Sequence, residues 1–181
     1  SKPGEQIDFP VSGMDFYPTI LDLAGAELRP EEHNDGISLL PLMKGESLAE
    51  RPLIWHFPHY GNQGGEPSSI IRRGDWKLLH YYEDGRKELY YLSKDISETT
   101  DLAAKYPDRV QQMYKEMFDY LTEVGAKYPI PDPEYSEARE KKYLRMVVSE
   151  KMPELEKQRM EMLSNEFDPN NKWWGSMVPR D

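Results

Sequence analysis

Two histidines and a tyrosine in the segment 55–60 are the side chains best suited to polar chemistry. The segment reads Trp-His-Phe-Pro-His-Tyr; imidazole exchanges protons near neutral pH, and a phenol both donates and accepts hydrogen bonds. A strand that ends at Pro58 would place His59 and Tyr60 on a loop, where they can face a cleft. His56 would lie among apolar neighbours, either as a hydrogen-bonded core histidine or as a substrate contact. We predict His56, His59 and Tyr60 as substrate-binding residues.

The acidic residues and histidines do not predict a metal centre. His56 and His59 lack a third ligand at a useful spacing, and Asp15, Asp22 and Asp35 are scattered, so capping or turn roles explain them better. The sequence contains no cysteine, which excludes disulfides, thiolate metal sites and thiol nucleophiles. We therefore predict no catalytic residue and no metal ligand in this chain.

Hydrophobic spacing predicts the elements that position these residues. Leu53–Phe57 has the β-branched and aromatic content of a buried strand, and a period of two then predicts further strands. Those strands are Ser68–Arg72, Trp76–Tyr82 and Lys87–Leu92. Asp108–Val124 carries apolar residues at helical spacing, so we predict that it covers one face of the sheet. The predicted fold class is α+β: a small antiparallel sheet of three or four strands covered by a C-terminal helix.

An earlier short helix is predicted over Ser12–Gly25. Asp15 is placed to cap its first turn, and Phe16, Ile20 and Leu23 share one apolar face. Gly25 is a typical residue to follow a helix end, because it adopts the left-handed conformation without strain.

The composition changes after residue 127. Residues 128–135 form a Pro-rich connector, and residues 136–166 are heavily charged, with a break predicted at Pro153. This tail is predicted to be helical, with its apolar residues either packed on another element or exposed for a partner. Lys172–Trp174 contains two adjacent indoles, which need burial or a partner.

Charge and hydropathy narrow the classes of partner. The 181 residues carry a formal net charge of −10, which disfavours nucleic acid because phosphate neutralisation needs basic surface. No apolar run approaches the roughly 20 residues that span a bilayer, so we predict no membrane span. The lack of cysteine is compatible with an oxidising or a reducing compartment.

Six segments in order resemble type I sulfatases of the alkaline-phosphatase superfamily. They are Asp15–Gly25, Asp35–Leu42, Arg51–Tyr60, Ser69–Leu79, Glu83–Leu92 and Asp101–Leu102. The similarity runs from about Gly4 to Tyr135 and corresponds to the C-terminal third of such enzymes. It implies that residues 1–57 end the α/β catalytic core, that 58–127 form a sheet-and-helix subdomain, and that 128–181 form the connector and charged helical tail.

The resemblance implies a parent enzyme that hydrolyses sulfate esters, with a carbohydrate sulfate as substrate. Members of the family use calcium and a formylglycine made within Cys/Ser-x-Pro-x-Arg; this chain lacks the motif, so both are implied for the parent only. By this likeness His56, His59 and Tyr60 approach the active-site mouth, and the loop Gly61–Glu66 shapes specificity. The implied partners are the remainder of the catalytic domain and a sulfated small molecule or glycan. A periplasmic or secreted location is implied in the same way.

Two other functions stay open at this point. A non-catalytic binding module would use the sheet, the charged tail and the Trp173-Trp174 pair as an anchor. A related phosphonate or phosphodiester hydrolase would share the same C-terminal design and differ in a nucleophile that lies outside this sequence.

Overall fold

The computed structural model describes Gly4, residues 6–61 and residues 65–167. These residues form two compact units, of which the first ends at Pro129 and the second begins at Ile130. The indole pair Trp173-Trp174 and the loop residues Asn62–Gly64 lie outside the described residues. Among the residues that are described, no helix is both long enough and apolar enough to cross a bilayer.

The first unit begins with a short helix in the predicted place. A 3-10 turn, Gly13–Asp15, runs directly into α1, Phe16–Leu23, and a single helical turn, α2, follows at Leu40–Met43. The side of α1 that is buried carries Pro18 and Thr19. The predicted apolar side of α1 is therefore not the buried one within this chain.

Four strands form one antiparallel sheet in the order β1-β2-β3-β4. They are β1 Leu53–Phe57, β2 Ser68–Arg73, β3 Trp76–Tyr81 and β4 Lys87–Tyr91. Gly74 has φ of +56°, so the chain reverses between β2 and β3 within two residues at little steric cost. The pairing of β1 with β2 continues the sheet across residue 57, the predicted boundary between catalytic core and subdomain.

Helix α3, Pro107–Glu123, covers one face of the sheet and completes the main core. Ile71, Leu78 and Leu89 lie side by side on β2, β3 and β4. They pack against the buried side of α3, which consists of Val110, Met113, Met117 and Leu121. The predicted fold class, an α+β arrangement with a helix over a small antiparallel sheet, is confirmed.

The opposite face of the sheet is covered only in part. A second cluster there contains Leu79, Tyr90 and Leu92, with Ile70 and Tyr81 packed against it. Trp55 is paired with Ile70 across the strands, so it lies on this face, and Phe57 follows it with the strand period. Trp55 and Phe57 both stay exposed. The edge strand β1 thus presents aromatic side chains to solvent.

The second unit is a charged helical tail, as predicted. α4, Glu137–Met146, continues through a π-helical turn, Val147–Lys151, into α5, Met152–Met162. Pro153 does not break the helix; the wider turn just before it accommodates the missing N–H. The large apolar side chains exposed on this tail are Tyr143, Leu144, Val148, Met152, Leu155, Met160 and Leu163.

Candidate functional site

His59 and Tyr60 lie on the loop directly after β1. Both side chains are exposed, and the His59 ring centroid lies 4.0 Å from that of Phe57. Phe57 and Trp55 occupy the same face of β1, so His59 extends an exposed aromatic strip at the edge of the sheet. Imidazole and aromatic rings in such a strip can hydrogen-bond and stack against a polar ring-shaped ligand.

His56 points to the opposite face of the sheet, toward α3. Its Nδ1 lies 2.7 Å from Ser69 Oγ, and its Nε2 lies 2.8 Å from the backbone carbonyl oxygen of Lys127. Ser69 Oγ lies in turn 2.6 Å from Tyr82 Oη. The structure therefore separates His56 from His59 and Tyr60, because both ring nitrogens of His56 have partners inside the first unit.

A third histidine, His80, is buried in an aromatic cluster that also borders this region. Its ring centroid lies 4.9 Å from that of Tyr82, 5.2 Å from that of Tyr114 and 5.4 Å from that of Phe118. Burial lowers the pKa of His80, and the neighbouring charge of Lys87 lowers it further. The strand period places His80 on the α3 face, but no sequence signal marks it as a perturbed titratable group.

A buried ion pair, which the sequence did not reveal, connects the start of α1 to the entry of β1. Asp15 is fully buried, and its carboxylate accepts hydrogen bonds from the Arg51 guanidinium and from the backbone N–H groups of Ser12 and Ile37. Arg51 also donates to the backbone carbonyl of Asp35. Asp15 occupies the predicted N-cap position of α1, but its side chain makes no cap hydrogen bond to that helix. Its carboxylate instead accepts from the Ser12 N–H, in a capping box of the 3-10 turn that leads into α1.

Calcium and formylglycine do not fit the part of this chain that the structure describes. No group of three or more His, Cys, Asp or Glu side chains suited to a metal ion occurs among the described residues. The full sequence has neither a cysteine nor a Ser-x-Pro-x-Arg motif from which formylglycine could be made.

Helix α1 presents an uncovered apolar side. Phe16, Ile20 and Leu23 are each more than half exposed. Ile7 and Val11, which precede the helix, are about half exposed as well. Exposed apolar side chains that cluster in this way mark a surface of interaction with another protein or segment.

Comparison with known proteins relates most of the chain to sulfatases. Residues 1–127 match the family described as N-sulphoglucosamine sulphohydrolase, C-terminal. A sulfatase from Formosa agariphila is 40% identical over 109 residues, which are 55% of this chain and 20% of that protein. Arylsulfatase K from Danio rerio is 37% identical over 121 residues, which are 63% of this chain and 22% of that protein. The chain thus spans about a fifth of the length of these relatives.

One solved structure adds information on a ligand. It contains a protein in complex with its substrate D-glucosamine-2-N,6-O-disulfate. This chain is 25% identical to that protein, and the two superpose with a TM-score of 0.51 over 60% of this chain and 23% of the other.

Proposed function

This chain belongs to the family of the N-sulphoglucosamine sulphohydrolase C-terminal domain, and from that premise we propose that its parent protein hydrolyses sulfate esters of carbohydrates. The chain is the C-terminal part of a sulfatase, and the family match over residues 1–127 carries the proposal. The family description names an N-sulphated glucosamine, and a similar solved structure holds D-glucosamine-2-N,6-O-disulfate. Both support a sulfated amino sugar as the substrate class.

The role of this chain in that reaction is to form part of the rim of the substrate pocket. His59 and Tyr60 are exposed on the loop after β1, next to the aromatic strip of Trp55 and Phe57. An imidazole and a phenol can hydrogen-bond sugar hydroxyls or sulfate oxygens, and aromatic faces stack against the apolar face of a sugar ring. His56 lies on the α3 face of β1, whereas His59 and Tyr60 are exposed on the loop beside the strip, so the direct contacts are assigned to His59 and Tyr60.

The remainder of the catalytic domain is the partner that covers α1. The exposed side of α1 consists of Phe16, Ile20 and Leu23, and burial of three such side chains stabilises an interface by several kcal/mol, at about 1.5 to 3 kcal/mol each. The relatives are about five times longer than the matched region, so a larger body is available to bury it. Formylglycine and calcium, if the parent uses them, belong to that body.

The proposal is tested by measuring sulfate release from D-glucosamine-2-N,6-O-disulfate by the full-length parent protein. We expect release of inorganic sulfate, and we expect bis(para-nitrophenyl) phosphate to be hydrolysed much more slowly. Faster hydrolysis of the phosphodiester would support a phosphonate or phosphodiester hydrolase instead. Binding of the sugar without any turnover would support a binding module.

A further inference from the structure

We infer that His56 is a positioning residue, which fixes the end of β1 against the chain after α3 and thereby sets where His59 and Tyr60 meet the substrate. The predicted effect of His56 on substrate binding rests on the proposed function. The hydrogen bonds of His56 do not depend on that function. His56 contacts Lys127, Ser69 and, at 3.3 Å, Tyr82, and Ser69 contacts Tyr82 as well. They connect segments that are 71 residues apart in the sequence.

The hydrogen bonds of this group have a defined direction. A backbone carbonyl can only accept, so the proton of a neutral His56 ring is on Nε2, which donates to Lys127. Nδ1 is then an acceptor, and the Ser69 hydroxyl donates to it over 2.7 Å. The Ser69 oxygen in turn accepts from the Tyr82 hydroxyl over 2.6 Å. The Lys127 carbonyl therefore determines the donor in all three hydrogen bonds and selects the tautomer of His56 with its proton on Nε2.

The burial of Ser69 and Tyr82 favours these donor and acceptor roles. Ser69 is fully buried, so an unpaired hydroxyl there would be costly. Burial also raises the pKa of Tyr82, which keeps its phenol protonated and able to donate.

Aromatic packing holds the same segment in place. The Tyr128 ring lies 5.7 Å from that of His56 and stacks parallel to Phe118 of α3 at 5.8 Å. Tyr82 contacts both the His56 and Tyr128 rings edge-on, at 5.9 and 6.0 Å. The residues after α3 are thus attached to β1 through the His56 ring rather than through a further strand.

The position of His56 near the end of β1 explains why its hydrogen bonds affect the rim residues His59 and Tyr60. Within the described part of the chain, β1 is an edge strand that pairs with β2 alone, so its other side has no strand partner there. His59 follows three residues after His56, and Pro58 between them restricts the backbone to a narrow φ range. His59 also contacts Phe57, the residue next to His56, with ring centroids 4.0 Å apart, so a displacement of β1 at His56 moves His59 as well.

The test uses Ser69→Ala and Tyr82→Phe in the full-length parent protein, with Ser97→Ala as the control. Ser97 is an exposed serine that lies outside the sheet. We expect Ser69→Ala to raise KM for D-glucosamine-2-N,6-O-disulfate about three- to tenfold, as the loss of one ordered hydrogen bond implies. We expect kcat for para-nitrophenyl sulfate, which is too small to reach the rim, to stay within about twofold. Tyr82→Phe should act in the same direction, and Ser97→Ala should change neither constant.

An unchanged KM for the sugar in both variants would overturn the inference. So would an equal loss on both substrates together with a lower melting temperature, because that is the signature of a general structural defect. If Ser69→Ala does not fold, the KM and kcat of Tyr82→Phe test the inference alone.

A crystal structure of the Tyr82→Phe parent separates this inference from the proposed function. We expect His59 and Tyr60 to be displaced relative to the unsubstituted parent, whether or not any sulfate is released. A parent that hydrolyses no sulfate ester would refute the proposed function, while unmoved His59 and Tyr60 would refute the positioning role.

Discussion

The Nη2 atom of Arg51 lies 2.5 Å from Oδ1 and 2.6 Å from Oδ2 of Asp15, whose side chain is fully buried. The two residues are 36 positions apart in the sequence. Their ion pair fixes the turn before α1 against the residue that leads into β1. The N-terminal segment and the sheet are consequently held together by a buried charge pair as well as by apolar packing.

Removal of the positive partner should destabilise the protein strongly. Arg51→Met leaves the Asp15 carboxylate buried without its compensating charge, and we expect the free energy of unfolding to fall by about 3 to 5 kcal/mol. Arg29→Met is the control, because Arg29 forms an exposed ion pair with Glu32 and its loss should cost less than about 1 kcal/mol. Urea denaturation of both variants measures the difference. An equal loss of unfolding free energy in both variants would show that the buried ion pair stabilises the protein no more than the exposed one.

The exposed side of α1 should matter only where the rest of the sulfatase is present to cover it. Ile20→Asp places a charge in the proposed interface, and we expect it to lower the stability of the full-length parent by about 2 kcal/mol or more. Val148→Asp is the matched control, since Val148 is 65% exposed and Ile20 63%. We expect that change to stay within about 0.5 kcal/mol. A parent that tolerates Ile20→Asp as well as Val148→Asp does not use α1 for docking.

Acid should destabilise the first unit through His80. The pKa of this histidine is lowered from its ordinary value of 6.5, chiefly by burial, so the unfolded chain binds a proton before the folded chain does. The stabilisation from the neutral ring is therefore present above pH 6.5 and is lost as the pH falls below it, by at most about 1.4 kcal/mol per pH unit.

The variant His80→Phe tests this contribution, because a phenyl ring fits the aromatic cluster and cannot titrate. We expect the unfolding free energy of His80→Phe to depend less on pH below 6.5 than that of the unsubstituted protein. Thermal or urea unfolding at a series of pH values measures both curves. Two parallel curves would mean that another group causes the acid sensitivity.

The sequence predicts this fold well wherever the signal is local. The period of two in β2 and β3, the turn at Gly74 and the helical spacing of α3 depend on residues close together in the chain. The covering helix could also be assigned to the sheet, because α3 is strongly amphipathic and is the next regular element after β4.

Contacts between residues far apart in the chain could not be predicted from the sequence. The Asp15–Arg51 pair and the His56–Lys127 hydrogen bond join residues 36 and 71 positions apart, and no periodicity encodes either. The exposed side of α1 is apolar, so the helical spacing identifies this side but does not tell whether it is buried within the chain. His59 and Tyr60 were selected by residue type and loop position, and their contact with substrate stays a prediction.

A change at His59 should affect the reaction more than the fold. His59 is exposed, so His59→Ala should alter the melting temperature of the full-length parent only slightly. We expect kcat/KM for D-glucosamine-2-N,6-O-disulfate to fall about tenfold or more, as the loss of a substrate hydrogen bond implies. Steady-state kinetics and thermal unfolding of the same preparation give both numbers. An unchanged kcat/KM on this sugar would remove His59 from the rim.

The most direct measurement is sulfate release from para-nitrophenyl sulfate by the purified 181-residue chain beside the full-length parent. The chain has no cysteine and no Ser-x-Pro-x-Arg motif, and its described residues offer no cluster for a metal ion. We therefore predict turnover by the parent and none by the chain alone. Sulfate release by the 181-residue chain, in a preparation free of the parent, would contradict the assignment of this chain to the pocket rim of a larger enzyme.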